Sequence, residues 1–302
     1  MNTENSAPSV LILLATYNGR KWCEEQIKSI FAQLDVTLYI CVSDDFSKDS
    51  TRQFIAAYEN PRITILDSVV RYGSACQNFF RLLRDANIAD YDYIAFCDQD
   101  DIWNPEKLSY SISRMKEQRA DAFSSNVTAF WPNGRKKVIR KNQPQRKWDF
   151  LFESAGPGCS FVLTRKLACD LAHFININSG KMKHVAFHDW LTYAFARSQG
   201  YRWWIDAQST MMYRQHDFNE LGANSGITAS LSRLKKISDG WYRNQVILIG
   251  TLVGARDSLP IKRLQRFSIV DRIILLCNIL SFRRSYRDRV ALLFLFLLPQ
   301  KK

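Results

Sequence analysis

Tyr93-Ile94-Ala95-Phe96-Cys97-Asp98-Gln99-Asp100-Asp101 joins an apolar run directly to a cluster of carboxylates. A short apolar run closed by polar residues reads as a buried strand. The acids then stand at its carboxyl end. In open sheets with helices on both faces, ligands bind beyond that end. A strand that exits into acids is therefore expected to carry a site.

The same alternation runs outward in both directions. Residues 10–15, 38–42 and 63–66 are further apolar runs, and 122–130 reads as a fifth strand. Between them, apolar residues recur at helical spacing: Cys23, Ile27, Ile30, Phe31 and Leu34; Phe54, Ile55 and Tyr58; Ala75, Phe79, Leu82, Leu83 and Ala86; Leu108, Ile112 and Met115. Strands alternating with helices predict an α/β, Rossmann-like, mostly parallel sheet with helices on both faces. The exits Thr16-Tyr17-Asn18-Gly19, Ser43-Asp44-Asp45 and Asp98-Gln99-Asp100-Asp101 would then share one crevice.

Closely spaced carboxylates repel, and hard oxygen ligands suit Mg²⁺ or Mn²⁺. In an extended turn, Asp98 and Asp100 point the same way. They can share an ion, or one can face the ion and the other a ribose. Asp101 and Asn104 are alternatively caps of the helix that begins near Pro105. Asp44 is placed to accept from a base N–H or a ribose hydroxyl. Ser47, Asp49 and Ser50 read as candidate helix caps. Tyr72, Gly73 and Asn78 lie near the third strand exit. Gly156-Pro157-Gly158 reads as a tight loop that lets backbone approach a ligand closely, or as a plain turn. A helix is expected from His188-Asp189, with Trp190 either a stacking platform or core.

The segments LATYNG, VSDDFSKDST, CDQDDIW, GPGCSFVLTR and HDW, in that order, resemble family 2 glycosyltransferases of the GT-A fold, the rhamnosyltransferase-like members above all. The likeness covers about residues 8–220. It implies an inverting transfer of a sugar, such as rhamnose, from a nucleoside-diphosphate donor (dTDP- or UDP-linked) to a glycan or lipid-linked acceptor of a bacterial surface polysaccharide. Thr16 and Tyr17 would line the nucleotide pocket, with Asn18, Asn78 and Gln99 on the donor side. Asp44 would contact the base, although Asp45 could exchange roles with it. Asp98 and Asp100 match the family's DxD element, with Asp100 toward the metal. Asp189 matches the general base, and His216 falls where relatives supply a late metal or diphosphate ligand. Gly156, Gly158 and Trp190 would lie on the acceptor side. One departure stands out: many relatives have Glu before the basic Asp, and here it is His188.

Charge is uneven along the chain. Residues 228–302 hold 15 Lys/Arg against 4 Asp/Glu, which is +11 of a net +13. A body at 1–227 with a basic, amphipathic, helical region at 228–302 is expected. Such a region suits an anionic membrane surface, where each Lys or Arg contributes about 1 kcal/mol, or it packs on the body. No nucleic-acid module is evident. The apolar run 290–298 is too short to span a bilayer. The start MNTENSAPSV lacks a secretory pattern, so a cytoplasmic protein, peripheral on the inner membrane face, is expected. The 7 cysteines contain no CxxC pair and read as reduced, buried thiols. Two other classes remain: a non-catalytic, membrane-associated nucleotide-binding protein, and a nucleotidyltransferase, which would release pyrophosphate. Oligomeric state is not readable.

Overall fold

The computed structural model describes residues 7–67, 70–216 and 239–297. In chain order the elements are β1 (Ser9–Thr16), α1 (Arg20–Phe31), β2 (Thr37–Asp44), α2 (Thr51–Ala56), β3 (Ile63–Ile65), α3 (Ala75–Asp85), β4 (Tyr93–Cys97), β5 (Ile102–Trp103), α4 (Lys107–Gln118), β6 (Ala122–Ser125), β7 (Val127–Phe130), β8 (Lys136–Ile139), α5 (Asp149–Phe152), β9 (Val162–Thr164), α6 (Arg165–Ile177), α7 (Ser179–Met182), α8 (His188–Ser198), β10 (Trp203–Asp206), β11 (Met211–Arg214), α9 (Trp241–Leu252), α10 (Leu259–Arg266), α11 (Ile269–Cys277) and α12 (Tyr286–Leu297).

The main sheet has 7 strands in the order β10-β6-β9-β4-β1-β2-β3. Only β9 runs antiparallel to its neighbours. β1 shows why helices cover both faces. Its Val10, Ile12 and Leu14 pack with Cys23, Ile27 and Ile30 of α1 and with Leu108, Ile112 and Met115 of α4. Its Leu11, Leu13 and Ala15 point the other way, to Phe79, Leu82 and Leu83 of α3, Leu167 and Leu171 of α6 and Leu191 and Ala194 of α8. Side chains alternate along a strand, so one uninterrupted apolar run serves two cores. The parallel register ends Thr16 opposite Asp44 and sets Leu14 opposite Cys97. The three polar exits therefore leave the sheet at one rim.

The expected single strand over 122–130 is two strands. Asn126 separates them, and β6 and β7 belong to different sheets; β7 joins β5, β11 and β8 in a second sheet of order β5-β11-β7-β8. The Asn126 amide donates to Ala207 O (2.7 Å) and its Oδ1 accepts from Lys141 N (2.6 Å). These long-range bonds set the break, and hydrophobic pattern does not report them. The small sheet brings the end of β11 back to the turn after β4.

The described part of the basic region is helical and packs on the body. Val246, Ile249, Leu264, Phe282 and Phe296 share one apolar core with Leu151, Phe152 and Trp190. Arg284 is fully buried, with Asp149 at 3.2 Å and Glu153 at 3.6 Å. The 227/228 boundary and Arg233, Lys235 and Lys236 lie outside the described residues. No helix among the described residues is long and apolar enough to cross a membrane. Five of the cysteines are buried as expected; Cys169 is half-buried and Cys277 is exposed.

Candidate active site

The turn after β4 is held from below by the end of β11. Backbone N–H of Arg214 donates to Asp101 Oδ1 (3.0 Å), and its Nε donates to Asp100 O (2.7 Å). Asp101 is fully buried, so it is an anchor of the turn rather than a cap of α4. No nitrogen or oxygen donor among the described residues reaches its Oδ2, while the Cys159 thiol lies beside the carboxyl. Burial, then the charges of Asp100 and Asp98, push Asp101 well above the usual carboxylate range. Ligand atoms of Asp98, Asp101 and Cys159 lie within 4.8 Å of one another. Nε2 of His216 is 2.6 Å from Asp100 Oδ2, and its ring stacks on Trp22 at 4.1 Å. Three carboxylates crowded into one turn, with the His216 imidazole on Asp100, make a donor set that suits a divalent cation, whose charge would relieve the repulsion.

The β1 exit is tied to this turn through Gln99. Its Oε1 accepts from Tyr17 N (2.8 Å) and its Nε2 donates to Tyr17 O (2.9 Å). Both ends of that amide are thus occupied by the β1 exit, and Gln99 braces the crevice instead of standing open to a donor. Gly19 makes the brace possible: a Cβ there would lie 2.0 Å from Gln99 Oε1. Asp44 Oδ2 accepts from the Thr16 hydroxyl (2.9 Å) and Oδ1 from Ser47 N (2.9 Å). Asp45 accepts from Tyr72 N and from Gly73 N (2.8 Å). The two acids therefore hold different loops. Asn18 donates to Ser47 Oγ and accepts from Lys48 N, each at 2.8 Å. Asp49 accepts from Arg20 N and Thr51 N, holding the starts of α1 and α2, in line with its reading as a cap. Asn78 is buried; its amide donates to Ser43 O (2.9 Å) and Thr16 O (3.4 Å). It pins β1 to β2 rather than facing donor phosphate. Tyr17 is exposed, with Arg71 over its ring at 4.8 Å and hydrogen-bonded to its hydroxyl at 2.8 Å.

The third wall is the turn Gly158–Ser160 against the start of α8. A Cβ on Gly158 would sit 2.4 Å from His188 Nε2 and 3.3 Å from Asp189 Cβ, so only glycine allows this approach. At Gly156 the nearest atom to a Cβ would be Ser125 O at 3.6 Å, an ordinary contact. His188 stacks on Phe79 at 4.0 Å, and burial pushes it down to about 3, so the ring is neutral. Asp189 is surrounded by protein but not sealed. Burial pushes it up to about 6, against the opposing pull of Trp190 N, the Ser154 hydroxyl and the Lys141 charge. Trp190 is not an acceptor platform: it is buried, donates Nε1–H to Phe150 O (3.1 Å) and stacks on Tyr242. An indole with its N–H satisfied in the core has no polar reason to leave it.

One chain of contacts therefore runs from Asp44 through Thr16, Tyr17, Gln99, the acidic turn and Cys159 to Gly158 and Asp189. Residues 11–222 match the family model described as Glycosyl transferase family 2. The chain belongs to that family. The family 2 chain is 39% identical to the dTDP-rhamnosyl transferase RfbG of Shigella flexneri, over 94% of its own length and 99% of the relative's. It is 29% identical to the Escherichia coli UDP-Glc:alpha-D-GlcNAc-diphosphoundecaprenol beta-1,3-glucosyltransferase WfgD, over 52% of this chain and 61% of that one. Among solved structures, S. aureus TarS 1-349 in complex with UDP superposes with a TM-score of 0.56 at 15% identity, covering 85% of this chain and 87% of that one. Mannosyltransferase PcManGT from Pyrobaculum calidifontis, in complex with GDP-Man and Mn2+, gives 0.52 at 16% identity, covering 96% and 79%. The fold is GT-A, and the activity class is glycosyl transfer.

Sequence reading overlooked several residues of this family 2 site. Arg214 lies two residues before His216, and its backbone and guanidinium hold the acidic turn. Cys159 lies inside the GPGC segment and reaches Asp101. Lys107 is fully buried below the turn with its Nζ 3.5 Å over the Trp103 ring, and burial lowers it to about 8. A lone lysine at a helix start carries no sequence signal for that position.

Proposed function

We propose that this enzyme transfers rhamnose, with inversion, from a dTDP-linked donor to a hydroxyl of a glycan or lipid-linked acceptor in bacterial surface polysaccharide synthesis. The sugar and base rest on the relative of 39% identity, which is aligned along nearly its whole length. The mechanism rests above all on Asp189. A carboxyl raised to about 6 is ionised at neutral pH and basic enough to take a proton from an attacking hydroxyl. The acceptor oxygen bonds to the anomeric carbon as the bond from that carbon to the diphosphate oxygen breaks. The hydroxyl proton passes to Asp189 Oδ. Ser154 and the Trp190 N–H orient the carboxyl, and Gly158 lets it approach the acceptor loop.

Asp98 and Asp100, with His216, would hold Mg²⁺ or Mn²⁺. A divalent ion supplies Lewis-acid stabilisation of the departing diphosphate. Tyr17 offers an exposed ring for the base, and Asp44, braced by Thr16, the acceptor for its N–H. The basic region supports work on the cytoplasmic side of an anionic membrane.

A thermal-shift panel of dTDP-rhamnose, UDP-glucose and GDP-mannose with Mn²⁺ tests the donor. A ligand that binds only the folded chain raises its stability by RT ln(1 + [L]/Kd). Stabilisation by dTDP-rhamnose above the other two supports the reading. Equal or greater response to a UDP-sugar removes it. Release of dTDP rather than pyrophosphate separates it from a nucleotidyltransferase.

A further inference from the structure

α11 is apolar on both sides, which a helix at a protein surface ordinarily is not. Its inner face carries Leu275, buried in the core, and Asp271, which is paired with Arg263 at 2.8 Å. Its outer face carries Ile269, Val270, Ile273 and Cys277, and Leu280 follows in the 3₁₀ turn Ile279–Ser281. At 100° per residue, Ile269 and Ile273 fall close to one line with Val270 and Cys277 beside it, and exposed Leu280 follows just past the helix end. Ile269 is 76% exposed, Val270 63%, Ile273 54% and Leu280 63%. No charged residue interrupts the stripe. Contiguous exposed apolar surface of this kind marks an interaction site.

Two observations identify what covers it. Residues 228–302 carry +11 in sequence, and exposed Arg266 and Arg287 flank the stripe in sequence without a carboxylate partner among the described residues. A second copy docking by two-fold symmetry would bring those arginines toward each other across the seam, which opposes self-association. An anionic bilayer accepts both features at once: isoleucine and leucine side chains enter the headgroup–acyl boundary, and arginines meet lipid phosphate.

We propose that the α11 stripe, Ile269, Val270, Ile273 and Leu280, is the surface on which this enzyme lies in an anionic membrane. It deepens the membrane reading above and rests on it. The stripe is joined to the catalytic wall. Leu280 is followed by Phe282, stacked on Phe152 at 4.6 Å, and by Arg284, whose Nη2 donates to Ser154 O at 2.6 Å. Ser154 in turn holds Asp189. Seating the stripe in lipid thus fixes the side of the crevice that receives the acceptor, so that a polyprenyl-linked glycan and the base share one membrane plane.

The test uses the full chain and vesicles of phosphatidylcholine with or without phosphatidylglycerol, separated by flotation. Cys277, the one exposed cysteine, carries a polarity-sensitive fluorophore in a parallel measurement. Wild type is expected to float with phosphatidylglycerol vesicles and to show a blue-shifted probe. I269S/I273S/L280S should partition on the order of a hundredfold less. Arg266→Glu with Arg287→Glu should bind less and lose salt dependence. All should keep the wild-type thermal shift with dTDP-rhamnose. Failure of wild type to float, equal flotation of the triple serine variant, or an unshifted probe overturns the proposal. Conversion of a dimer to a monomer by the serine variant in light scattering also overturns it, by naming a second copy as the occupant. Loss of the donor response with flotation intact counts against the transferase reading alone.

Discussion

Oδ2 of Asp100 and Nε2 of His216 lie 2.6 Å apart, although 116 positions separate them in the chain. The contact ties the residues after β11 to the acidic turn, because β11 returns beside β5 and delivers His216 two residues past its end. His216→Ala is expected to raise the Mn²⁺ concentration for half-maximal transfer about ten- to hundredfold. Asp100→Asn should lower kcat by about 10²–10³. A metal titration of activity checks both, and an unchanged Mn²⁺ requirement in His216→Ala would remove the imidazole from the ion's surroundings.

As the proposed base, Asp189 would set the acid limb of the pH profile. With a native value of about 6, transfer should fall about tenfold per pH unit below 6 and level off above 7. The stability effect has the opposite sense. A carboxyl raised above its unfolded value of 3.8 stabilises the fold when protonated, and that contribution is lost as pH climbs from about 4 through 6. Asp189→Asn should therefore abolish transfer, leave dTDP-sugar affinity near wild type and raise stability at pH 7 by about 2 kcal/mol. Urea melts at pH 4 and pH 7 read the second effect, and a stability gain confined to pH 4 contradicts it.

Gly158 and Gly156 make an internal control. Gly158→Ala drives a methyl into the His188 ring, so a loss of about 2–3 kcal/mol and a kcat reduced about a hundredfold are expected. Gly156→Ala meets only ordinary contacts and should cost under about 1 kcal/mol. Equal effects of the two substitutions in denaturation and turnover assays would show that close approach is not what Gly158 provides.

Arg284 ties the basic region to the body. Its guanidinium is fully buried between Asp149 and Glu153, and Asp149 also takes Tyr193 and Arg197. Arg284→Met leaves two buried carboxylates short of a partner and should destabilise by about 3–5 kcal/mol. A urea midpoint moved by less than a quarter of that would mean the region docks by apolar contact alone.

Much of this was legible in the chain. The runs at 10–15, 38–42, 63–66 and 93–97 became β1 to β4 because a strand buried on both faces must be apolar at every position, and that leaves an unbroken signature. The acids after β2 and β4 were visible because they follow apolar runs directly, and Asp189 because it falls in the HDW segment that resembles the family. The hydrogen bonds of Asn78, Gln99 and Trp190, by contrast, were not legible. An amide or an indole looks the same in sequence whether its hydrogen bonds go to a ligand or to Thr16, Tyr17 and Phe150.

Sequence by itself settled strands β1 to β4, the helices between them and the family, since these follow from local periodicity and from motifs in fixed order. Tertiary structure alone decided the rest. The break at Asn126 and the return of Arg214 and His216 beneath the acidic turn depend on pairings between distant segments. So do the glycine demanded by His188 and the apolar stripe left on the outside of α11. A hydrophobic residue shows its affinity for a core in the sequence, but which of its faces meets one is fixed only when the chain has closed around it.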